Sequence, residues 1–396
     1  MARRPEDETT VQRTTRAHVL AFRLRRHNLA QRLGEARMAE AVAACSIRNT
    51  PPGSALSALA ARVNGVSEDA TSAALAGKTL VEVLGPRMIP AFVCPGDVAV
   101  FTVGGVSTDE ASLRVTMGEK ASGRLAADGI GLGDALTQVI DATRAELKGG
   151  ARARGDLSEA LTARLPEAMS LWCKRCGSRH IHETLFRLPG AVGVYCVAPR
   201  SGREVSYVLV EEWLDARVPS VGSPGALGAG IELVRRFLRC YGPATPGDFA
   251  DWARTGLPDA RRRFADLADD LADVSWDGQA GSVLREDADE LCRAELPSCV
   301  RLLPPNDPYL LTRDRVTLVP ELAQHKLIWP AAGTPGTVVA AGEIVAIWRS
   351  QKSGATLRVQ VSARGRLPAE AVPLVETEAQ RLAQLRGCRS ALVRFG

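Results

Sequence analysis

A short segment near the middle of the chain concentrates residues that could bind a metal ion. Cys173 and Cys176 are separated by two residues, and His180 and His182 follow within ten residues of the first cysteine. The Cys-x-x-Cys-Gly pattern is typical of a turn that presents two thiolates to a tetrahedral zinc ion, and the two imidazoles would complete the ligand set. Such closely spaced ligands require a sharp turn at Gly177. Two interpretations are open: a structural zinc site, or a cysteine pair beside histidines that face phosphate groups.

Arginine is the second residue type that could do chemistry here, and its distribution is uneven. The chain has 44 arginines and six lysines, and its formal net charge is +5. The first fifty residues hold ten arginines and five acidic residues, and the remainder of the chain is balanced. A guanidinium donates paired hydrogen bonds to phosphate oxygens, and concentrated positive charge suits a polyanion. The placement of charge therefore predicts nucleic-acid binding.

The sequence lacks the signatures of several other function classes. It contains no glycine-rich phosphate loop of the nucleotide-binding kinds, no Ser/His/Asp signature and no paired-carboxylate signature. Its nine cysteines are scattered apart from one pair, and neither a signal peptide nor a membrane-length apolar run is recognisable. We expect a reduced, cytoplasmic, nucleoid-associated protein that does not bind membranes.

The elements that must position the arginines begin with a helix. Apolar residues recur at helical spacing over residues 14–26, with Thr14 or Thr15 as the predicted cap. Arg16 and Arg23 fall on one stripe of this helix. A proline-rich loop over residues 46–53 then interrupts the chain before the next helix, because proline and glycine disfavour helix there.

Further along, helices are predicted over residues 134–147, 157–165 and 182–187. Two alternating strands follow, and the turn between them carries Arg200 and Arg203. Three helices followed by a hairpin is the order of a winged helix, and a similar order recurs in the next part of the chain.

We therefore predict a mainly α fold with β wings (α+β class), in which tandem winged-helix units are followed by a C-terminal α+β domain. The predicted domains are an N-terminal winged-helix region (1–110), a second unit with the cysteine pair and the arginine-tipped hairpin (111–222), a third unit (223–295) and the C-terminal domain (296–396).

Several segments, taken together, resemble one known family. They lie, in order, at residues 17–26, 48–63, 235–252, 302–311, 341–349 and 369–385. In sequence and spacing they are similar to the AlkZ-like winged-helix DNA glycosylases, which remove alkylated purines and, in some members, unhook crosslinks. The resemblance implies a concave basic surface on duplex DNA, a hairpin that reaches the minor groove, and no required cofactor.

The resemblance also locates a catalytic motif. In the family, a glutamine, one small or aliphatic residue and then glutamine or aspartate precede a proline-rich loop and a helix that ends in Ala-Arg-Val. Matching that helix to residues 61–63 places the motif on Arg48, Asn49 and Thr50, so neither glutamine is present. Cleavage of a glycosidic bond passes through a positively charged sugar. A carboxamide can orient the attacking water, whereas two like charges about 4 Å apart repel by roughly 4 kcal/mol at an effective dielectric near 20.

These observations predict a duplex-DNA-binding protein with a repair or lesion-recognition role. Either Asn49 replaces the missing glutamine, or the protein binds DNA without excising a base. The alternative from another class is a non-enzymatic DNA-binding transcriptional regulator. The side chains expected to contact DNA are those of Arg16, Arg23, Arg26, Arg48, Arg62, Arg200 and Arg203.

Overall fold

The computed structural model describes residues 11–200, 202, 204–365 and 367–396. Helices and strands are mixed along the chain, which confirms the predicted α+β class. Among the described residues, no helix is both long and apolar enough to span a bilayer.

The N-terminal region combines short helices with part of a sheet. Its first helix begins where the Thr15 side chain accepts a hydrogen bond from the His18 main chain, so the predicted cap is confirmed. Gly53, with a φ of +87°, precedes the helix that starts at Ser54. The elements are β1 (Gln12–Thr14), α1 (Arg16–Arg26), α2 (Met38–Cys45), β2 (Ile47–Arg48), α3 (Ser54–Ala60), α4 (Glu68–Ala76), β3 (Val81–Gly85), β4 (Ile89–Val93) and α5 (Val98–Phe101).

The next region contains the longest helices before residue 215 and two hairpins. The helix predicted over residues 182–187 is longer in the structure and ends at Ala191. Its last turn contains Pro189, a residue that usually interrupts a helix. The elements are α6 (Glu110–Met117), α7 (Glu119–Ala127), α8 (Leu132–Leu147), β5 (Arg152–Ala153), α9 (Arg154–Arg164), β6 (Ser170–Cys173), β7 (Ser178–Ile181), α10 (Glu183–Ala191), β8 (Tyr195–Val197), β9 (Ser206–Leu209) and α11 (Val210–Leu214).

Three helices and a hairpin follow. Thr245 and Asp248 form a capping box, and Pro246 occupies the first turn, which explains the sharp start of the second of these helices. The elements are α12 (Pro224–Tyr241), α13 (Pro246–Ala253), α14 (Leu257–Ala265), β10 (Leu271–Trp276), β11 (Gln279–Leu284) and α15 (Ala288–Arg293).

The C-terminal region is built around a five-stranded sheet. Its last two strands are parallel and are connected by an amphipathic helix. The elements are β12 (Val300–Leu303), α16 (Arg315–Leu318), α17 (His325–Ile328), β13 (Gly336–Ala340), β14 (Glu343–Ser353), β15 (Thr356–Ala363), α18 (Ala371–Leu385) and β16 (Ser390–Phe395).

The strands form four sheets in the described part of the chain. One has the order β2-β4-β3-β8-β9-β5, and thus combines strands from both sides of residue 110. The others are the C-terminal sheet β12-β13-β14-β15-β16, the hairpin β6-β7, and β10-β11 with β1 added in parallel. The division into four domains stays a prediction.

A buried ion pair joins the N-terminal region to the C-terminal one. Arg62 has 0% of its side chain exposed and donates to both carboxylate oxygens of Asp307, at 2.7 and 2.8 Å. Asp307 also accepts a hydrogen bond from the main chain of Tyr309, so it fixes the turn Pro308–Leu311. The sequence placed Arg62 on a DNA-binding surface, whereas the structure places it inside the fold.

The Asp307→Asn variant should be strongly destabilised, because Asn cannot neutralise the buried guanidinium that remains. We expect the free energy of unfolding to fall by about 3–5 kcal/mol, measured by chemical denaturation at pH 7. Asp289→Asn removes an acid from a pair in which both side chains are 82% exposed and should leave the denaturation midpoint unchanged. Equal midpoints for wild type and Asp307→Asn would contradict this role.

Candidate nucleic-acid interface

A cavity of about 290 Å³ opens between the first sheet and the C-terminal region. Its walls come from α2, β2, the turn before β4, α12, α13 and the loops after β12, so distant parts of the sequence converge on it. Its lining includes Cys45, Ser46, Arg48, Arg87, Ile89, Tyr241, Trp252, Asn306, Leu310, Thr312, Arg313, Arg315 and Trp329.

Four guanidinium groups line this cavity, those of Arg48, Arg87, Arg313 and Arg315. Within the described residues none of them forms an ion pair, whereas Arg16, Arg23 and Arg62 do. Arg87 and Arg313 donate only to the main-chain carbonyl of Asp251, at 2.9 and 3.5 Å. The Nε atoms of Arg48 and Arg315 are buried without a protein partner. The cavity therefore carries positive charge that this part of the protein does not neutralise.

The electrostatics of these groups reflect both burial and mutual repulsion. Burial lowers the pKa of Arg48. For Arg87, burial and then the charges of Arg313, Arg254 and Arg48 lower the pKa. Burial and the charge of Arg313 likewise lower the pKa of Arg315. Arginine stays protonated in proteins, so an anion that enters the cavity would offset the repulsion between these guanidinium groups. Phosphate suits this role because its oxygen atoms can accept hydrogen bonds from several guanidiniums.

Aromatic rings complete the cavity wall. Trp252 and Tyr241 lie with ring centroids 5.7 Å apart, and the Arg315 guanidinium lies 4.9 Å from the centroid of the Trp329 ring. Flat apolar surfaces beside unpaired cations are the combination that nucleic-acid sites use, because bases stack on rings and phosphates bind arginine.

Of the three residues at the matched motif, only Arg48 lines the cavity. Asn49 follows the last residue of β2, is 3% exposed and does not line the cavity. Its amide donates to Glu82 at 2.8 Å, and its carbonyl oxygen accepts from the Gly53 main chain at 2.8 Å. Thr50 is half-buried and is not part of the cavity lining. This orientation gives Asn49 a role in holding the loop before α3, and does not support its replacing a catalytic glutamine.

Glu82 was missed by the sequence analysis. It lies on β3 with 4% of its side chain exposed, and burial raises the pKa of its carboxyl group while Asn49 and Arg200 lower it. The nearest Arg200 nitrogen is 3.4 Å away. A single glutamate within the apolar run Leu80–Val81–Glu82–Val83–Leu84 was the available signal, because an acid there must find a polar partner.

Two of the arginines predicted to contact DNA lie in ion pairs at the surface. Arg16 donates to both carboxylate oxygens of Glu343, at 2.6 and 2.7 Å. Arg26 bonds to Asp287 and to Glu290. Both guanidiniums are partly exposed, so contact with DNA stays a prediction, but neither is a free cation.

Arg23 is placed differently from the sequence-based expectation. It is 1% exposed and donates to the main-chain carbonyls of Gly242 and Pro243 and to Asp314, at 3.1, 3.1 and 2.8 Å. The stripe that carries Arg16 and Arg23 therefore packs against the rest of the fold, and Arg23 cannot reach a ligand in this structure. Of the two arginines predicted at the hairpin turn, Arg200 donates to Glu82. Arg203 lies outside the described residues.

The cysteine and histidine segment is only partly assembled as predicted. Ligand atoms of Cys173, Cys176 and His180 lie within 4.8 Å of one another. His182 does not join them, because its Nδ1 accepts a hydrogen bond from the Thr184 main chain and caps α10.

Comparison with known proteins places this arrangement in context. The model of the DNA glycosylase AlkZ-like family matches residues 42–385. The interstrand DNA cross-link repair glycosylase of Streptomyces sahachiroi is 32% identical over 163 residues, which is 39% of this chain and 43% of that protein. The chain thus aligns with less than half of that relative's length. The solved structure of Streptomyces sahachiroi DNA glycosylase AlkZ is similar in fold, with a TM-score of 0.77 at 22% identity, over 97% of this chain and 100% of that one.

The raised pKa of Glu82 makes stability depend on pH in a defined direction. The folded state holds this proton at pH values where the unfolded chain has lost it, so stability falls as pH rises from about 4.3, the unfolded value, through the folded pKa. The Glu82→Gln side chain cannot ionise, so the variant avoids the free-energy cost of a buried carboxylate. Its amide oxygen can still accept the hydrogen bond from Asn49. We expect the variant to be the more stable protein at pH 7.5, and its advantage to vanish near pH 4, as measured by thermal melts.

The exposed Glu376→Gln variant controls for the loss of one negative charge. A Glu82→Gln protein that is less stable than wild type at pH 7.5 would show that the ion pair with Arg200 outweighs burial.

Proposed function

This chain belongs to the DNA glycosylase AlkZ-like family, a DNA-repair family, and from that premise we propose that it binds duplex DNA at the arginine-lined cavity and recognises alkylated purines there. The observation that carries the proposal is the set of four guanidiniums without internal ion pairs beside three aromatic rings. Phosphates of the DNA backbone neutralise the arginines, and a displaced or damaged base has rings against which to pack.

The proposed base-excision activity is weak. Arg48 extends into the cavity at the position that the family's first glutamine would occupy, and the Asn49 carboxamide is turned away and already hydrogen-bonded. A guanidinium near the sugar opposes the positive charge that develops as the glycosidic bond breaks. The same group supports phosphate binding. Recognition is therefore retained in this proposal while catalysis is reduced.

The likeness to a relative named for interstrand cross-link repair supports a wider substrate class. We include duplex DNA with an interstrand crosslink beside DNA carrying N7-alkylguanine. The proposed reaction needs no cofactor.

Duplex affinity should depend strongly on salt because it rests on phosphate contacts. If each of the four cavity arginines contacts a different phosphate, the slope of log K against log salt concentration should be about −3.6, near −0.9 for each phosphate. Replacing Arg87, Arg313 and Arg315 with Gln should weaken binding to all sequences alike and flatten the slope to about −1. Fluorescence anisotropy with unrelated duplexes measures both quantities.

The matched control is Arg293→Gln, which removes one charge from a side chain that is 82% exposed. It should leave the affinity near the wild-type value. A control that weakens binding as much as a cavity substitution, or a triple variant with an unchanged slope, would place the DNA elsewhere.

Excision should increase when the repelling charge is removed. The Arg48→Gln, Thr50→Gln protein should release N7-methylguanine from duplex DNA faster than wild type, by at most about a thousandfold if roughly 4 kcal/mol of repulsion is removed. Alkaline cleavage of the abasic product measures the rate, and anisotropy confirms that binding persists. Strong wild-type excision would contradict reduced catalysis. Binding without excision by either protein would favour the non-enzymatic DNA-binding regulator.

A further inference from the structure

The hairpin β6-β7 carries a group of metal-ligating side chains that the proposed function does not use. The Sγ atoms of Cys173 and Cys176 and a ring nitrogen of His180 lie within 4.8 Å of one another. None of these residues lines the arginine-rich cavity. All nine cysteines are free thiols, so both sulfurs are available as ligands.

The strand register explains why these side chains meet. Cys173 pairs with Ser178 and Leu171 pairs with His180 in the antiparallel ribbon. Paired residues share a face, and residues two apart on one strand share it as well, so Cys173 and His180 are diagonal neighbours on one face. His182 lies beyond the last pair of the ribbon, Ser170–Ile181, where it caps α10.

The turn between the strands has the conformation that a metal knuckle requires. Gly177 has a φ of +62°, and its N–H donates to the Cys173 carbonyl at 2.9 Å, which reverses the chain within four residues. The turn thereby brings the Cys173 and Cys176 thiols together at the tip of the hairpin, where both can bind one ion as thiolates.

The hairpin has little else to hold its tip together. Its strands have four residues each, and Trp172 on the opposite face is 60% exposed. A two-stranded hairpin of this size is marginally stable alone, so a cross-link at the tip would contribute to its order.

We propose that Cys173, Cys176 and His180 bind one zinc ion, with water as the fourth ligand. Two thiolates and one imidazole favour zinc over calcium or magnesium, which prefer oxygen. Zn–S and Zn–N distances of roughly 2.3 and 2.0 Å bring tetrahedral ligand atoms to about 3.5–3.8 Å from one another. Rotation of these partly exposed side chains closes the remaining gap. Both cysteine thiols release their protons when zinc binds.

The site can be tested on the full chain without any DNA or activity assay. Protein purified without chelators, supplied with excess zinc and then desalted, should retain about one zinc per chain by mass spectrometry of the metal. Replacement of zinc by cobalt should give the intense visible absorption of a tetrahedral thiolate complex. Cys173→Ser, Cys176→Ser and His180→Ala should each lower retained zinc to less than about a fifth of the wild-type value.

Two variants serve as matched controls and should keep the full zinc content. His182→Asn removes the neighbouring histidine but preserves a side chain that caps helices well. Cys292→Ser changes a half-buried cysteine far away in the sequence. Circular dichroism verifies that every variant is folded.

Wild-type protein that retains less than about 0.2 zinc per chain would overturn the proposal. Loss of zinc in His182→Asn equal to that in His180→Ala would overturn the ligand set. A mass lower by two hydrogens in the untreated protein, abolished by Cys173→Ser, would instead identify a redox-active disulfide.

Discussion

The fold depends on a single requirement of arginine: a guanidinium removed from water must be paired with oxygen atoms. Arg62 and Asp307, separated by 245 residues, meet this requirement inside the protein, and Arg23 meets it with Asp314 and two main-chain carbonyls. Removing one partner of such a pair leaves an uncompensated buried charge. The resulting loss of stability is larger than the net stabilisation that the intact pair provides. Residues 16–62 are therefore held against the C-terminal region by buried ion pairs whose charges water does not solvate. Arg16 with Glu343 extends the same connection to the surface.

This requirement changes what the net charge of a segment means. The first fifty residues carry the whole formal excess of +5, yet much of that charge is neutralised by acids from residues 287–378. Within the described residues, four arginines that form no ion pair come together at the cavity from three separate parts of the chain. A field that steers DNA depends on unpaired charges in space. A count along the sequence locates arginines, but only the fold shows which ones are already paired.

The sequence predicted features that depend on neighbouring residues. The cap at Thr15, the break before Ser54 and the sharp turn at Gly177 all follow from local chemistry, and all are present. The α+β class and the family were also predicted correctly. The buried positions of Arg23 and Arg62 were not, since helical spacing does not reveal a carboxylate more than 200 residues away. The grouping of Arg87, Arg313 and Arg315 has no signal in sequence, because β4, α13 and the loop before α16 must first pack together.

The orientation of β2 decides what the altered motif can do. Arg48 and Asn49 are adjacent, so a strand turns one toward the cavity and the other toward Glu82. A shift of one residue would exchange them, but Asn49 is fixed by hydrogen bonds to Glu82 and to the Gly53 main chain. The cavity therefore receives the guanidinium and not the carboxamide. If DNA binds here as we propose, four cations in one cavity attract a phosphate and repel a developing positive charge at the sugar, so the same charges would favour DNA binding and oppose cleavage of the glycosidic bond.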